Sequence, residues 1–316
     1  MPDLRALIID DASPDETSEV AESLVAEDAR VHLIRHPANL GHIATYNEGL
    51  AWSKADYTVL LSADDLLAPG ALARAVDFMD DEAGVGMVHG VGIPFRDGEP
   101  PAPSAITSGL HRVVPGREFL EASCAEGSNL VCTPTAIVRT RLQKQLGGYR
   151  DELTHTGDME MWMRFAAHAD IGYLEADQAY YRLHSSNMSL LYFDEMNVGG
   201  YITSTGDLYQ RKAAFDTVLR EWGDRIPERG RLRTMATRSL AWAAFWGASH
   251  AFDRGNPVIC SELLEFSRTA WPEIVSRSEW ARFQWKQRVG SRVWRAIRPW
   301  ARLLRAGRIR TVQVVA

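Results

Sequence analysis

Residues 4 to 15 read Leu-Arg-Ala-Leu-Ile-Ile-Asp-Asp-Ala-Ser-Pro-Asp, and this stretch decides the class of fold. Its apolar first half has the length and continuity of a strand buried on both faces of a parallel sheet. Ser13, Pro14 and Glu16 then have the spacing of a capping box with proline at the first helical position. A strand that leads directly into a helix indicates an α/β protein.

The same alternation continues through the N-terminal half of the chain. We predict strands over 30–34 and 57–61, and helices over 43–54 and from Pro69 onward. This pattern favours a doubly wound, mostly parallel sheet, whose ligands bind beyond the carboxyl ends of the strands. The Gly- and Pro-rich stretch 90–103 predicts a surface loop or short hairpin.

The C-terminal half is predicted to be richer in helix. Apolar residues at helical spacing follow Gly157-Asp158, strand character returns over 171–174, and the chain beyond Asn187 is predicted to be almost wholly helical. We therefore predict a catalytic domain over 1–195 and a helical extension over 196–316.

Composition limits the possible partners. Hydrophobic residues make up 46% and charged residues 24% of the 316 residues, which is typical of a soluble globular protein. The net charge is −6, yet ten Lys or Arg residues and no acid follow Glu279, so the rest of the chain carries about −16. A uniform basic coat is excluded, and we expect no nucleic-acid partner.

Cysteine usage and the N-terminus favour the cytoplasm. Cys124, Cys132 and Cys260 lack the spacing of a zinc site or a disulfide framework. The first residues lack the basic start and long apolar run of a signal peptide. The apolar segment 239–252 is shorter than the ~20 residues that span a bilayer, so we expect a buried helix there.

Two acidic pairs follow predicted strands. Asp10-Asp11 comes after the first strand, and Asp64-Asp65 comes after the strand over 57–61. Paired acids also occur as helix caps, but carboxylate oxygens are the ligands that Mg²⁺ and Mn²⁺ prefer. Two pairs at one edge of a sheet favour a ligand site, with a cation at the second pair and a base or ribose at the first.

The order of these motifs resembles family 2 glycosyltransferases of the GT-A fold. The resemblance rests on Ile-Ile-Asp-Asp-Ala-Ser-Pro-Asp at 8–15, Asn-Leu-Gly at 39–41 with Asn-Glu-Gly at 47–49, and Leu-Leu-Ser-Ala-Asp-Asp at 60–65. Residues 156–164 resemble the family's catalytic segment, and Tyr-Arg-Leu-His at 181–184 resembles the segment that follows it. The resemblance covers about residues 4 to 190.

The resemblance implies a role for each carboxylate. Asp11 would contact the nucleotide base, Asp64 would bind a Mg²⁺ or Mn²⁺ ion that bridges the donor's diphosphate, and Asp65 would support that site. Asp158 would be the general base of an inverting transfer. Ser62 stands where the family usually has an aspartate that contacts the ribose.

Further residues complete the predicted nucleotide-sugar site. His42 occupies a position that is basic in many relatives, and His184 is predicted to contact the diphosphate or complete the metal shell. The full predicted set of nucleotide-sugar contacts is Asp10, Asp11, Ser13, Asn39, Gly41, His42, Asn47, Ser62, Asp65 and His184. Two simpler interpretations stay open: Asp158 as the N-cap of its helix, and His184 as a hydrogen-bonded loop residue.

One unit of the family pattern is not found in this sequence. In the family, an apolar strand ending in Pro-x-Tyr-Asn and a helix come before the segment with which this chain starts. A misassigned start, a degenerate non-catalytic chain and a strand donated by a partner are the three explanations. We favour the first, which predicts an extended reading frame that encodes this strand.

The C-terminal segment predicts a basic amphipathic helix. Its apolar positions recur every three or four residues at Val289, Val293, Ile297, Ala301 and Leu304, with arginines on the other faces. Such helices lie in the membrane interface, so we predict peripheral contact through 282–310. The alternative is a helix packed on the catalytic domain with solvated arginines.

These observations together predict an inverting glycosyltransferase that depends on Mg²⁺ or Mn²⁺. The donor would be a nucleotide-diphosphate sugar, and the acceptor a hydroxyl of a glycan or lipid-linked sugar in cell-surface or secondary glycan synthesis. Two other classes stay open: a non-catalytic sugar-nucleotide-binding scaffold, and a nucleotidyltransferase that makes activated sugars.

Overall fold

The computed structural model describes residues 3–96, 98, 110–188, 192–197, 200–291 and 293–294. The chain forms two compact units. The first contains Met1–Cys124, Ser128–Asn187 and Ala213–Leu232, and the second contains Ala125–Gly127, Met188–Lys212 and Arg233–Ala316. The predicted division after residue 195 stays a prediction.

Strands and helices alternate through the N-terminal half, and long helices follow. The strands are β1 (Ala6–Asp10), β2 (Val31–Arg35), β3 (Tyr57–Val59), β4 (Leu66–Leu67), β5 (Val85–Arg96), β6 (His111–Val114), β7 (Ile137–Arg139), β8 (Asp170–Leu183), β9 (Phe193–Asn197) and β10 (Gly200–Thr203). The helices are α1 (Thr17–Glu27), α2 (His42–Trp52), α3 (Ala71–Asp81), α4 (Gly116–Glu126), α5 (Thr140–Leu146), α6 (Gly157–Ala166), α7 (Thr205–Glu221), α8 (Arg229–Arg254), α9 (Pro257–Ala270) and α10 (Ser278–Val289). The predicted strands over 30–34 and 57–61 and the helix over 43–54 are confirmed.

The first unit has an α/β architecture, as predicted. Strands β1 and β2 form a parallel pair, and β5 and β8 form the longest parallel pair. The larger sheet has the strand order β3-β7-β5-β8-β4, with β6 also paired to β8. Antiparallel pairing joins β7 to β3 and β5, and joins β8 to β4 and β6, so this sheet is mixed.

The core of the first unit lies between α3 and the larger sheet. Ala75, Phe78 and Met79 from α3 cluster with Val85 and Val88 of β5, and each of them is at most 5% exposed. Burial of apolar side chains of this size contributes about 1.5–3 kcal/mol each. This packing holds the end of β3 and the turn that follows it in place.

The predicted surface loop over 90–103 is wrong in its first part, because β5 continues to Arg96. The glycines there serve close packing rather than a turn. A Cβ on Gly90 would lie 2.5 Å from Cγ of Gln178, and one on Gly92 would lie 2.4 Å from Sγ of Cys132. Most later residues of this stretch lie outside the described part of the chain.

Two other expectations need correction, and a third lies mostly outside the described residues. The capping box is absent, because α1 begins at Thr17 with Glu16 at its N-cap and without a side-chain cap. Past Asn187, β9 and β10 form an antiparallel hairpin before the helices begin. Of the predicted amphipathic stripe, only Val289 and Val293 lie among the described residues.

The helices of the second unit have buried apolar faces. The segment 239–252 lies within α8, where Leu240, Ala244 and Phe245 are at most 1% exposed. Among the helices in the described part of the chain, none combines the length and the apolar character needed to cross a membrane.

Candidate active site

The turn between β3 and β4 carries Asp64 and Asp65, and it is tied to β8. The backbone N–H of Arg182 donates to the Asp65 carboxylate at 2.9 Å, and Nε of the same arginine donates to the Asp64 carbonyl at 2.9 Å. Asp65 is 5% exposed, and its burial raises its pKa to about 6. These bonds hold the turn while the Asp64 side chain stays half-exposed.

The half-exposed carboxylate of Asp64 meets the imidazole of His184. Nε2 of His184 lies 2.9 Å from Oδ2 of Asp64. The backbone N–H of Ser186 donates to Nδ1 of the ring at 3.3 Å, which places the proton of the neutral ring on Nε2. The backbone N–H of His184 donates to Oδ1 of Asn187, so the loop position is also fixed.

This pair fits the donor set for a divalent cation. A carboxylate oxygen and an imidazole nitrogen lie next to each other, so a cation would contact both once the ring proton moves from Nε2 to Nδ1 and the bond from Ser186 N–H is given up. Within the described residues, no group of three or more ligating side chains is present. Mg²⁺ in such sites commonly keeps water and takes substrate phosphates as its remaining ligands.

Asp158 lies in the first turn of α6 and is held by a neighbouring segment. Asn129 Nδ2 donates to Oδ2 of Asp158 at 2.9 Å, and the Thr133 hydroxyl donates to the same oxygen at 2.5 Å. Oδ1 accepts from the backbone N–H of Met159 at 2.7 Å. The N-cap of α6 is Thr156, so the interpretation of Asp158 as the N-cap is wrong. Burial raises the pKa of Asp158.

Tyr46 of α2 joins the two acidic regions. Its hydroxyl is hydrogen-bonded to Ser62, and its pKa is raised by burial and further by the nearby charges of Asp158, Asp64 and Asp65. The charges of carboxylates from distant parts of the sequence therefore act on one phenol. The structure brings Ser62, Asp64, Asp65 and Asp158 together.

Asp11 organises the loop that follows β2. Its carboxylate accepts the backbone N–H groups of Leu40 and Gly41, each at 2.8 Å. Nδ1 of His36 lies 2.7 Å from Asp11, and Nε2 of His36 lies 2.7 Å from the Glu48 carboxylate. The Leu40 N–H and the His36 ring lower the pKa of Asp11, while Asp11 and Glu48 raise the pKa of His36. We call these three side chains, Asp11, His36 and Glu48, the His36 clasp.

Asp10 is buried against the turn into α1 rather than facing solvent. It is 4% exposed and accepts from the backbone N–H of Ser13 at 2.9 Å and from the Ser18 hydroxyl. Hydrogen bonds from Ser18 and Ser13 lower the pKa of Asp10 to about 2. Asp10 and Ser13 therefore stabilise the turn into α1. Direct contact of either with a nucleotide stays a prediction.

The other predicted contacts lie around the start of α2. Asn39 Oδ1 accepts from the N–H of Gly41, whose φ of 86° suits glycine. His42 Nε2 donates to the carbonyl of Thr154 at 3.0 Å. Asn47 exchanges hydrogen bonds of 2.9 and 2.6 Å with the backbone of Tyr149, which ties α2 to the chain ahead of α6. Contacts of Asn39, His42 and Asn47 with a donor stay predictions.

Sequence reasoning missed several residues at this site. His36 directly follows β2, and Glu48 lies within α2. Their pairing with Asp11 depends on how α2 packs beside β1. Asn129 and Thr133 belong to a segment without a motif. The one available signal was the group of polar residues Ser128, Asn129 and Thr133, a few positions ahead of the short strand β7.

The fold is similar to that of a solved glycosyltransferase structure. Residues 1–349 of S. aureus TarS, solved in complex with UDP-GlcNAc, match with a TM-score of 0.52 and 14% sequence identity. The match covers 86% of this chain and 82% of that chain. This similarity shows a fold of the GT-A type.

The N-terminal part of the chain is similar in sequence to known glycosyltransferases. Residues 1–144 match the family model described as Glycosyl transferase family 2. An uncharacterized glycosyltransferase of Haemophilus influenzae is 34% identical over 76 residues, which are 24% of this chain and 30% of the relative. The polyprenol monophosphomannose synthase of Mycolicibacterium smegmatis is 36% identical over 83 residues, which are 25% of this chain and 31% of the relative. The matched segments thus span less than a third of either relative, and the match to the family model lies within residues 1–144.

Proposed function

We propose that this protein transfers a sugar from a nucleotide-diphosphate sugar to an acceptor hydroxyl with inversion of configuration. The observation that supports this proposal best is the placement of Asp64 and Asp158 around the Tyr46 hydroxyl. A carboxylate suited to a cation and a second one suited to a proton are what a displacement at an anomeric carbon requires.

Asp158 is the proposed general base. It takes the proton from the acceptor hydroxyl while that oxygen attacks the anomeric carbon from the face opposite the diphosphate. The new glycosidic bond forms as the bond between the anomeric carbon and the phosphate oxygen breaks, and its electron pair leaves with the nucleoside diphosphate. Burial raises the pKa of Asp158 above that of an ordinary aspartate, which makes its carboxylate a stronger base.

Asp64 and His184 are the proposed holders of the Mg²⁺ or Mn²⁺ ion. Such an ion, when bound, offsets the negative charge of the leaving diphosphate as a Lewis acid. Asp65 supports Asp64 through the fixed turn, and Ser62 is proposed to contact the ribose. Arg182 holds both aspartates from β8, so the strand sets the distance between the turn and His184.

The loop over residues 36–42 is the proposed nucleotide site. The His36 clasp holds this loop, because Asp11 accepts the backbone N–H groups of Leu40 and Gly41. Asn39, Gly41 and His42 are the proposed nucleotide contacts within the loop. Asp11 is proposed to contact the base from within the clasp. UDP-GlcNAc, the ligand of the S. aureus structure, is one donor to test first.

The proposed acceptor is a hydroxyl of a glycan or lipid-linked sugar in cell-surface or secondary glycan synthesis. The M. smegmatis relative is a polyprenol monophosphomannose synthase, which supports testing lipid acceptors. Peripheral contact with the cytoplasmic face of a membrane is proposed through 282–310. Trp285 is 56% exposed and Val293 55% exposed, and the exposed Arg282 and Arg288 lie on the same part of the chain.

The first experiment is a thermal-shift panel of UDP, GDP and dTDP with and without Mn²⁺. We expect one base to stabilise the protein and Mn²⁺ to increase the shift. The release of nucleoside diphosphate from the matching sugar is then measured for the wild type, for Asp158→Asn and for Asp151→Asn, an exposed aspartate on the chain ahead of α6.

We expect Asp158→Asn to keep nucleotide binding and to lose turnover, with Asp151→Asn unchanged. Nucleotide binding without turnover, unaffected by Asp158→Asn, would instead support the scaffold class. Formation of a nucleotide sugar from a sugar phosphate and a nucleoside triphosphate would support a nucleotidyltransferase. No response to any nucleotide would refute all three.

A further inference from the structure

Asp158 is contacted by a segment that carries no family motif. Asn129 and Thr133 lie between α4 and β7, and both donate to Oδ2 of Asp158, at 2.9 and 2.5 Å. Oδ1 accepts from the N–H of Met159. The carboxylate is thus held on both of its oxygens, and its rotation is restricted.

The two donors are themselves held in place. The backbone N–H of Val131 donates to Oδ1 of Asn129 at 3.1 Å, so the amide presents its Nδ2 to Asp158. Thr133 begins a 3-10 helix over Thr133–Thr135, in which its carbonyl accepts from Ala136 N–H. Pro134 and Thr135 are buried, which limits movement of this turn.

We propose that Thr133 and Asn129 are positioning residues, which fix the orientation of the Asp158 carboxylate and stabilise its anionic form. This inference rests on the proposed function, in which Asp158 is the general base. The two donors occupy both lone pairs of Oδ2, and Met159 N–H occupies one of Oδ1, which leaves one lone pair of Oδ1 for the acceptor hydroxyl. Neither residue needs to touch the donor or the acceptor.

The electrostatic surroundings agree with this role. Burial raises the pKa of Asp158, and the Thr133 hydroxyl is the largest influence in the opposite direction, followed by the Met159 N–H and the charge of His155. The charge of Asp158 also acts on Tyr46, Tyr149 and Cys132. Burial raises the pKa of each, to about 11 for Cys132, so they are neutral near pH 7.

The test is the pH dependence of kcat for Thr133→Val, measured as nucleoside diphosphate release from the donor found in the panel, with Mn²⁺. Without the Thr133 hydrogen bond the carboxylate is easier to protonate, so the acidic limb of the kcat profile should move upward by about one pH unit. Because the carboxylate is also no longer held in its orientation, kcat should fall by about 10-fold. KM for the donor should stay within about twofold, because uniform substrate binding is unchanged. Thr133→Ser, which restores the hydroxyl, should restore both values.

Thr135→Val is the matched control. It removes a hydroxyl two residues further along the same turn, which donates to the carbonyl of Cys132 and not to Asp158. It should leave the acidic limb in its wild-type position. Ionisation of Asp65, whose pKa is about 6, affects all variants alike, so the difference between variants reports on Asp158.

Asn129→Leu is a second variant for the same measurement. Because Asn129 is exposed, this variant should fold even if Thr133→Val does not. An upward shift of the acidic limb in either variant, with Thr135→Val unchanged, supports the inference. If both variants have the acidic limb and the kcat of the wild type, the inference about Thr133 and Asn129 is overturned, while the proposed function stands. A wild-type protein without turnover overturns the proposed function first.

Discussion

The imidazole Nε2 of His184 lies 2.9 Å from the carboxylate of Asp64, although the two residues come from the turn after β3 and the end of β8. Arg182 creates this proximity, because its backbone and side chain bond to both Asp65 and Asp64. A proton now lies between the two groups. The same two side chains are suited to holding a divalent cation.

Removal of the Asp64 carboxylate should weaken cation binding. We expect Asp64→Asn to reduce Mn²⁺ affinity by more than about 10-fold, because an amide oxygen carries no net charge. Mn²⁺ binding is measured by electron paramagnetic resonance with the nucleoside diphosphate present. Asp77→Asn, on the exposed face of α3, is the control. Equal Mn²⁺ affinity in Asp64→Asn and the wild type would contradict the assignment.

The His36 clasp should make nucleotide binding depend on pH. Asp11 and Glu48 raise the pKa of His36, so the protonated ring donates to both carboxylates. The stabilisation is fully present below about pH 6.5, the ordinary histidine pKa, and is lost as the pH rises through the higher pKa of folded His36. Nucleoside diphosphate affinity, measured by calorimetry across pH 6 to 9, should fall over that interval.

A variant of His36 and a matched control variant test the role of the His36 clasp in nucleotide binding. His36→Gln should weaken nucleotide binding by about 10-fold and remove the pH dependence, since one amide replaces two charge-assisted bonds. His32→Gln, an exposed histidine of β2, should behave as the wild type. The clasp has no role in nucleotide binding if His36→Gln binds with wild-type affinity at pH 6.

Gly90 should be required for the packing of β5 against β8. An added Cβ would lie 2.5 Å from Cγ of Gln178 and 2.8 Å from the Leu174 carbonyl oxygen. We expect Gly90→Ala to lower the free energy of unfolding by about 1–3 kcal/mol. Gly84→Ala, where no atom lies within 4 Å of the new Cβ, is the matched control. Urea unfolding compares them, and equal midpoints would show that the strands adjust freely.

The exposed apolar residues near the C-terminus should bind anionic membranes. We expect the double change Trp285→Ser and Val293→Ser to reduce cosedimentation with phosphatidylglycerol vesicles, because both side chains are more than half exposed. Val275→Ser, another exposed apolar position at 45%, is the control. Wild-type protein that sediments no better with these vesicles than without them would remove the membrane contact from the proposed function.

Local patterns predicted much of the fold. The continuous apolar run 4–9 and the acids after it placed β1, and the helical spacing behind Gly157 placed α6. The expectation failed where long-range packing overrides local signals. Gly90 and Gly92 suggested a turn, yet they lie in β5, because neighbouring atoms leave no room for a Cβ.

The candidate active site also combines features that local sequence patterns predict with features that depend on long-range packing. The motifs predicted which carboxylates matter, since residue type and order along the chain carry that information. They could not predict which side chains hold those carboxylates. Asn129 and Thr133 reach Asp158 through the placement of the segment between α4 and β7, and no periodicity encodes that placement.

The amino-acid sequence by itself determined the α/β class, the resemblance to a glycosyltransferase family and the set of candidate acids, because strand and helix periods and short motifs are local properties. The tertiary structure decided that Asp10 is buried against the turn into α1, that Asp11 is clasped by His36, and that Asp64 faces His184. These pairings join residues from separate elements. Their geometry follows from the packing of the sheet and helices, which requires the whole chain to be folded.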